Sequence, residues 1–258
     1  MSGSTIRIHD VDIELFDGGS GQSLLFLHSA QGFRPDHAYV GQLAAQRRLI
    51  APSHPGFGRS SLPDWIDSVD DIAYLYLELL DRLNVRRIDI VGCSIGGWIA
   101  AEIATKAPER VNKLVLVGPV GVKVGPPDKL DVPDIFVMDP DQALRLTYHD
   151  PARFAPAPAK MSDEELAIMV RNRESLALLV WEPYMHNPKL KHRLHRVTAP
   201  CLFLRGASDG MISQAYLDAY ARLLPNARLG VIAAAGHVPQ IEQPAAFVAA
   251  VSAFLGEP

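Results

Sequence analysis

Cysteine is scarce in this sequence: two residues in 258, Cys93 and Cys201. So few thiols exclude a disulfide-stapled scaffold. Each lies inside an apolar, strand-like stretch, so both are expected to be small buried hydrophobes in a reducing compartment. A surplus of positive charge is also missing, with 25 Lys+Arg against 29 Asp+Glu and a net charge of -4. Phosphate recognition needs a basic face, so no nucleic-acid partner is expected. The densest basic cluster, KLKHRLHR from Lys189 to Arg196, interleaves leucines at helical spacing and reads as a solvated helix face. No apolar run reaches the roughly 18 to 20 residues that spanning a bilayer needs, and MSGSTIRIHD lacks the basic-then-apolar pattern of a signal peptide. No membrane association and a cytoplasmic location are therefore expected.

What is present is a balanced globular composition, 48% hydrophobic and 21% charged, in a chain that suits one large domain or one domain carrying an insertion. TIRIH from Thr5 and DIELF from Asp12 alternate like paired strands, with GGSG from Gly18 closing the second. Short continuous apolar runs follow at SLLFLH from Ser23, RLIAPS from Arg48, RIDIVG from Arg87, KLVLVG from Lys113 and CLFLRG from Cys201. Helical patterns separate them, as in VDDIAYLYLELLDRL from Val69 and in SQAYLDAYARLL, which opens on a capping Ser213. The alternation predicts an α/β fold with a mostly parallel sheet and helices on both sides.

That rhythm breaks once, between Gly118 and Cys201. Residues 121–195 hold nine prolines and helical pieces near 140–149 and 162–181, and no regular βα unit fits them. The expectation is a core of residues 1–120 and 196–258 covered by a helical cap, or lid, of residues 121–195. The competing reading is a packing excursion with no part in substrate binding.

Chemistry enters at GCSIG, Gly92 to Gly96, which is G-x-S-x-G between an expected strand and an expected helix. Such a turn lifts the serine hydroxyl above the sheet edge, and residues 92 and 96 pass so close to their neighbours that a Cβ would clash. A serine hydroxyl needs a base, and the base needs a carboxylate to hold it. LFLRGASDGMIS from Leu202 sets Asp209 just beyond one expected strand, and VIAAAGHVPQIEQP from Val231 sets His237 just beyond the last. His28 also ends a strand, but it comes too early to be the base and is expected to hydrogen-bond the loop that follows it. His54 and His186 are weighed as pocket residues against surface or structural roles. Attack on a carbonyl also needs an oxyanion site. The backbone N–H of Ile95 is one expected donor, and the loop H-S-A-Q-G-F from His28 offers the other, Ala30 ahead of Ser29.

Taken together, L-H-S-A-Q-G, A-P-S-H-P-G-F-G-R-S from Ala51, G-C-S-I-G-G, G-A-S-D and G-H-V-P-Q-I-E-Q-P make the chain resemble the α/β-hydrolase superfamily along nearly its whole length. The resemblance implies an eight-stranded, mostly parallel sheet with a helical cap inserted after strand 6, and Ser94, Asp209 and His237 stand in the order that superfamily uses. Two departures stand out: Ser29 and Ser53 occupy positions where the superfamily commonly has Gly and Asp. The serine at the elbow argues against epoxide hydrolases and haloalkane dehalogenases, which use aspartate there. The C–C hydrolases of ring-fission products usually carry H-G-x-G-P-G and a tryptophan soon after the catalytic histidine, and this sequence has neither.

The expected activity is accordingly carboxylic-ester hydrolysis through an acyl-enzyme on Ser94, with His237 as base and Asp209 orienting it. C–C hydrolysis and thioester, lactone or amide cleavage remain as alternatives, and a non-catalytic ligand receptor as a different class. No metal or organic cofactor is required. The partner is a small molecule, with a homodimer open. Trp181, Tyr184, Met185 and His186, in WEPYMHNP, and Ser29 and Val238 are the candidate substrate contacts, with packing inside the cap as the competing reading for the first three. Arg34 and Lys123 flank the site loops as candidates to meet a substrate carboxylate, against the alternative of solvated charge.

Overall fold

A computed structural model describes residues 4–257. The antiparallel pair β1 (Ser4–Ile8) and β2 (Val11–Gly18) leads into β3 (Ser23–Leu27), α1 (Ala38–Ala44), β4 (Arg48–Pro52), α2 (Val69–Arg82), β5 (Ile88–Cys93), α3 (Ile95–Lys106) and β6 (Val111–Val117). An excursion follows that contains α4 (Pro140–Thr147), α5 (Pro151–Phe154) and α6 (Asp163–Val180). The chain then closes with β7 (Cys201–Gly206), α7 (Gln214–Ala221), β8 (Ala227–Ile232), α8 (Pro239–Glu242) and α9 (Pro244–Gly256). The eight strands form one sheet in the order β1-β2-β4-β3-β5-β6-β7-β8, parallel from β4 to β8.

The sheet is buried on both sides because alternate residues of each central strand face opposite layers. Leu25, Leu27, Ile90 and Leu116 pack with α2, α3 and α7. Leu24, Phe26, Val91 and Val117 pack with α1 and α9. Cys93 and Cys201 are buried and unpaired, as expected, and burial pushes both thiols well above their ordinary range. The Ser68 side chain caps α2 by accepting from Asp71 N–H, and Ser213 does the same for Tyr216 at α7.

Three details differ from the sequence expectation. The last strand runs Ala227–Ile232 and ends before Ala233, Ala234, Ala235 and Gly236 rather than directly before His237, and as an edge strand with exposed residues it has no continuous apolar run. His237 therefore follows a loop and not the strand itself. Secondly, KLKHRLHR forms two short 3-10 turns rather than a helix, although the solvated-face reading holds: Leu190 and Leu194 are buried and the intervening basic residues point outward. The excursion also contains the short α5, which the proline at its first position starts. No helix among the described residues is long and apolar enough to cross a membrane.

Candidate active site

Parallel strands deliver their C-terminal ends to one edge of the sheet, and the candidate residues collect there. Ser94 follows β5 with φ 55° and ψ -115°, a conformation that non-glycine residues rarely hold. Two backbone contacts explain the flanking glycines. A Cβ at 92 would lie 2.3 Å from the carbonyl oxygen of Gly96, and one at 96 would lie 2.2 Å from that of Leu27. Gly97 packs against Pro119, where a Cβ would come within 2.8 Å. Ser94 N–H donates to Val117 O on β6, fixing the elbow to its neighbour.

Asp209 and His237 meet as the sequence predicts. The His237 Nδ1 and Asp209 Oδ2 atoms are 3.0 Å apart, and both side chains are buried. The other carboxylate oxygen, Asp209 Oδ1, accepts from Met211 N–H at 2.8 Å and Ile212 N–H at 2.9 Å. A carboxylate can only accept, so Nδ1 carries the proton and Nε2 is left as the basic nitrogen. Ser94 and His237 line one cavity of about 120 Å³, without a hydrogen bond between their side chains. Ala30 and Ile95 line it too, and among the described residues neither backbone N–H has an acceptor in the protein.

Of the substrate-contact candidates, Ser29, Met185 and Val238 line this cavity. Met185 does so with φ 55°, held by its own N–H to Val180 O and by Gly121 N–H on its carbonyl. Trp181, Tyr184 and His186 lie outside it. Trp181 is 54% exposed and packs on Phe136. The Tyr184 hydroxyl donates to Pro133 O at 2.7 Å and accepts from Ile135 N–H, which makes it a brace inside the excursion. His186 turns its Nδ1 to the Tyr184 carbonyl and lines a separate surface groove. Neither basic candidate reaches the cavity, because Arg34 pairs with Asp36 and Glu165, and Lys123 with Asp131.

Sequence reasoning missed Gln31, Thr147, Leu176 and Met211, which also line the cavity together with Val120, Val132 and Ile135. Gln31 and Met211 each sit one or two residues beyond an identified position, so loop neighbourhood was an available signal. Thr147 and Leu176 come from α4 and α6, and only the fold brings them to Ser94.

His28 hydrogen-bonds its following loop, as expected, with Nδ1 2.7 Å from Ser29 O. His54 is not a pocket residue: it is fully buried and stacks on His28 at 3.7 Å between ring centroids. Burial lowers the His28 pKa to about 4 and that of His54 well below the ordinary histidine value.

A sharp serine elbow, a histidine–aspartate pair and two free N–H donors around one cavity define a hydrolase of the α/β type. Residues 24–251 match the alpha/beta hydrolase family, and the chain belongs to it. It is 31% identical to a 2-hydroxy-6-oxononadienedioate/2-hydroxy-6-oxononatrienedioate hydrolase from Paraburkholderia phymatum, across 99% of this chain and 93% of that protein. It is 28% identical to a 2-hydroxymuconate semialdehyde hydrolase from a Pseudomonas species, across 99% of this chain and 94% of that one. Among solved structures, a bacterial membrane phospholipase A superimposes with a TM-score of 0.82 at 25% identity, across 98% of this chain and 85% of that one. The expectation of a hydrolase stands, while the two sequence relatives direct attention from esters to the C–C alternative.

Proposed function

We propose that this protein is a serine hydrolase that cleaves a carbon–carbon bond of a small ring-fission product. The observation that carries the choice of bond is the full-length similarity to two hydrolases whose names specify 2-hydroxy-6-oxo-dienoate-type substrates. Ser94 attacks the carbonyl as His237 Nε2 takes its proton, and the N–H groups of Ile95 and Ala30 receive the oxyanion. With the 2-hydroxydienoate in its 2-oxo tautomer, its enol proton having moved to C5, collapse breaks the C5–C6 bond. The electron pair passes through the C3–C4 double bond to the 2-oxo oxygen, which takes the proton from His237 and leaves a shorter 2-hydroxydienoate. Water, activated by the same imidazole, then releases the acyl group from Ser94 as a carboxylic acid. The excursion of residues 121–195 serves as the cap that closes over this cavity.

Size and charge narrow the acyl group. The cavity, about 120 Å³, is smaller than the roughly 150 Å³ hole that holds a benzene. Its lining contains no lysine or arginine. A formyl or short alkyl acyl end therefore suits it better than a phenyl or carboxylate-bearing one, since an unpaired buried charge is costly. Both substrates bring the dienoate carboxylate, so the semialdehyde, with that one charge, is favoured over the dienedioate, with two. The same apolar, cation-free lining supports a second reading, hydrolysis of a short-chain ester by the same acyl-enzyme route.

The test is kcat/KM for 2-hydroxymuconate semialdehyde, 2-hydroxy-6-oxononadienedioate and p-nitrophenyl acetate, each with wild type and Ser94→Ala. The expected order puts the semialdehyde first, at least about tenfold above the dienedioate. Ser94-dependent turnover of the ester alone would select the second reading, and turnover of none of them would dismiss both.

A further inference from the structure

We infer that His28 and His54 form a neutral, stacked pair that aims the oxyanion N–H of Ala30, so that both are positioning residues for the reaction proposed above. The inference rests on that reading. It begins with proton counting. The backbone N–H of His54, which can only donate, lies 2.9 Å from His28 Nε2, so that nitrogen is an acceptor and the proton is on Nδ1. His28 Nδ1–H therefore donates to Ser29 O. The His28 carbonyl, which can only accept, lies 2.9 Å from His54 Nε2, so His54 carries its proton there. His54 Nδ1 is then the acceptor for the Tyr76 hydroxyl, at 2.7 Å. Every ring nitrogen has one assigned partner, and a second proton on His28 would set N–H against N–H.

The consequence falls on one peptide group. Ser29 O accepts from His28 Nδ1 and also from Gly32 N–H at 3.0 Å. Because a trans peptide is planar, with its carbonyl and N–H pointing opposite ways, fixing Ser29 O fixes the direction of Ala30 N–H. Ala30 lines the cavity beside Ser94 and Ile95, and its N–H has no other acceptor among the described residues. The rings stack at 3.7 Å, and both are fully buried, which holds the geometry without solvent competition.

The experiment compares His28→Leu and His28→Asn with wild type on the best substrate of the panel above. Asparagine keeps a donor near the Nδ1 position, whereas leucine keeps none. His28→Leu is expected to lower kcat about 10- to 100-fold, below the 10²–10³ that loss of a whole oxyanion donor costs. KM should stay within about threefold, since only the transition state uses the contact. His28→Asn should recover most of that loss. Independently of folding in the variants, ¹⁵N spectra of the wild-type histidine rings should show His28 as the Nδ1–H tautomer and His54 as Nε2–H. A His28→Leu enzyme with wild-type kcat, or the reversed tautomers, would overturn the inference while leaving the hydrolase reading intact. A wild type that turns over no substrate would remove both.

Discussion

Ser94 occupies its strained backbone conformation because glycines 92 and 96 let strand and helix close around it and Val117 O anchors its N–H. Strain of this kind persists where surrounding structure over-determines it, and here it presents one hydroxyl to the cavity. Ser94→Ala should lower kcat by at least about 10³-fold with no loss of folded protein by circular dichroism. Asp209 does more than face the histidine: two backbone N–H groups hold its far oxygen, so the near one is aimed. Asp209→Asn should cost about 10³- to 10⁴-fold in kcat, because an amide nitrogen turned toward His237 selects the wrong tautomer. Gly118 is the tightest fit at the pair. A Cβ there would sit 3.1 Å from the His237 ring and 3.2 Å from Asp209 Oδ2, at φ 48°. Gly118→Ala should therefore reduce kcat about tenfold or more while the cavity still binds a competitive inhibitor, a split that steady-state kinetics with that inhibitor resolves.

At the level of elements, the loops that carry Asp209 and His237 are fastened to the end of α4. Gly210 N–H donates to Leu146 O, and His237 N–H donates to Thr147 O at 2.6 Å. Glu242, buried at the end of α8, accepts from Gly236 N–H with one oxygen and from His149 and Asp150 N–H with the other. Removing that carboxylate strands three donors. Glu242→Ala should lose about 3 kcal/mol of stability in urea unfolding. The central strands, the main helices, Ser94 and Asp209 were legible because buried parallel strands announce themselves as apolar runs and these two residues follow them. His237 was legible from its glycine–histidine loop and its place in chain order, since the edge strand β8 leaves no apolar run. What was illegible depends on residues distant in sequence. Trp181 reads as a pocket aromatic until the fold turns it outward, and Thr147 and Leu176 carry no local mark of facing Ser94. The choice between a pocket and a structural role for His54 stayed open because a stack with a residue 26 positions earlier leaves no periodic trace.

Across the whole molecule, the sheet is covered on both sides and the buried histidine pair lies where β3 and β4 end, so its protonation is coupled to global unfolding. Burial depresses the folded pKa of His28 to about 4 and that of His54 well below the ordinary 6.5. Above pH 6.5 both are neutral whether folded or not, and they contribute no pH dependence. As pH falls below 6.5 the unfolded chain takes up protons that the folded chain refuses, so stability declines, by up to about 1.4 kcal/mol per pH unit for each group. For His28 the loss saturates near pH 4. Urea midpoints between pH 8 and 5 should stay level down to about 6.5 and then fall, with a shallower slope in His54→Phe; a level profile throughout would contradict the buried neutral pair.

The claim on which the rest depends is that Ser94 is a nucleophile activated by His237. A fluorophosphonate should add once per chain, map to the peptide containing Ser94 by mass spectrometry, leave Ser94→Ala unmodified and react much more slowly with His237→Ala. No adduct on the wild type, or an equal adduct on Ser94→Ala, would contradict it.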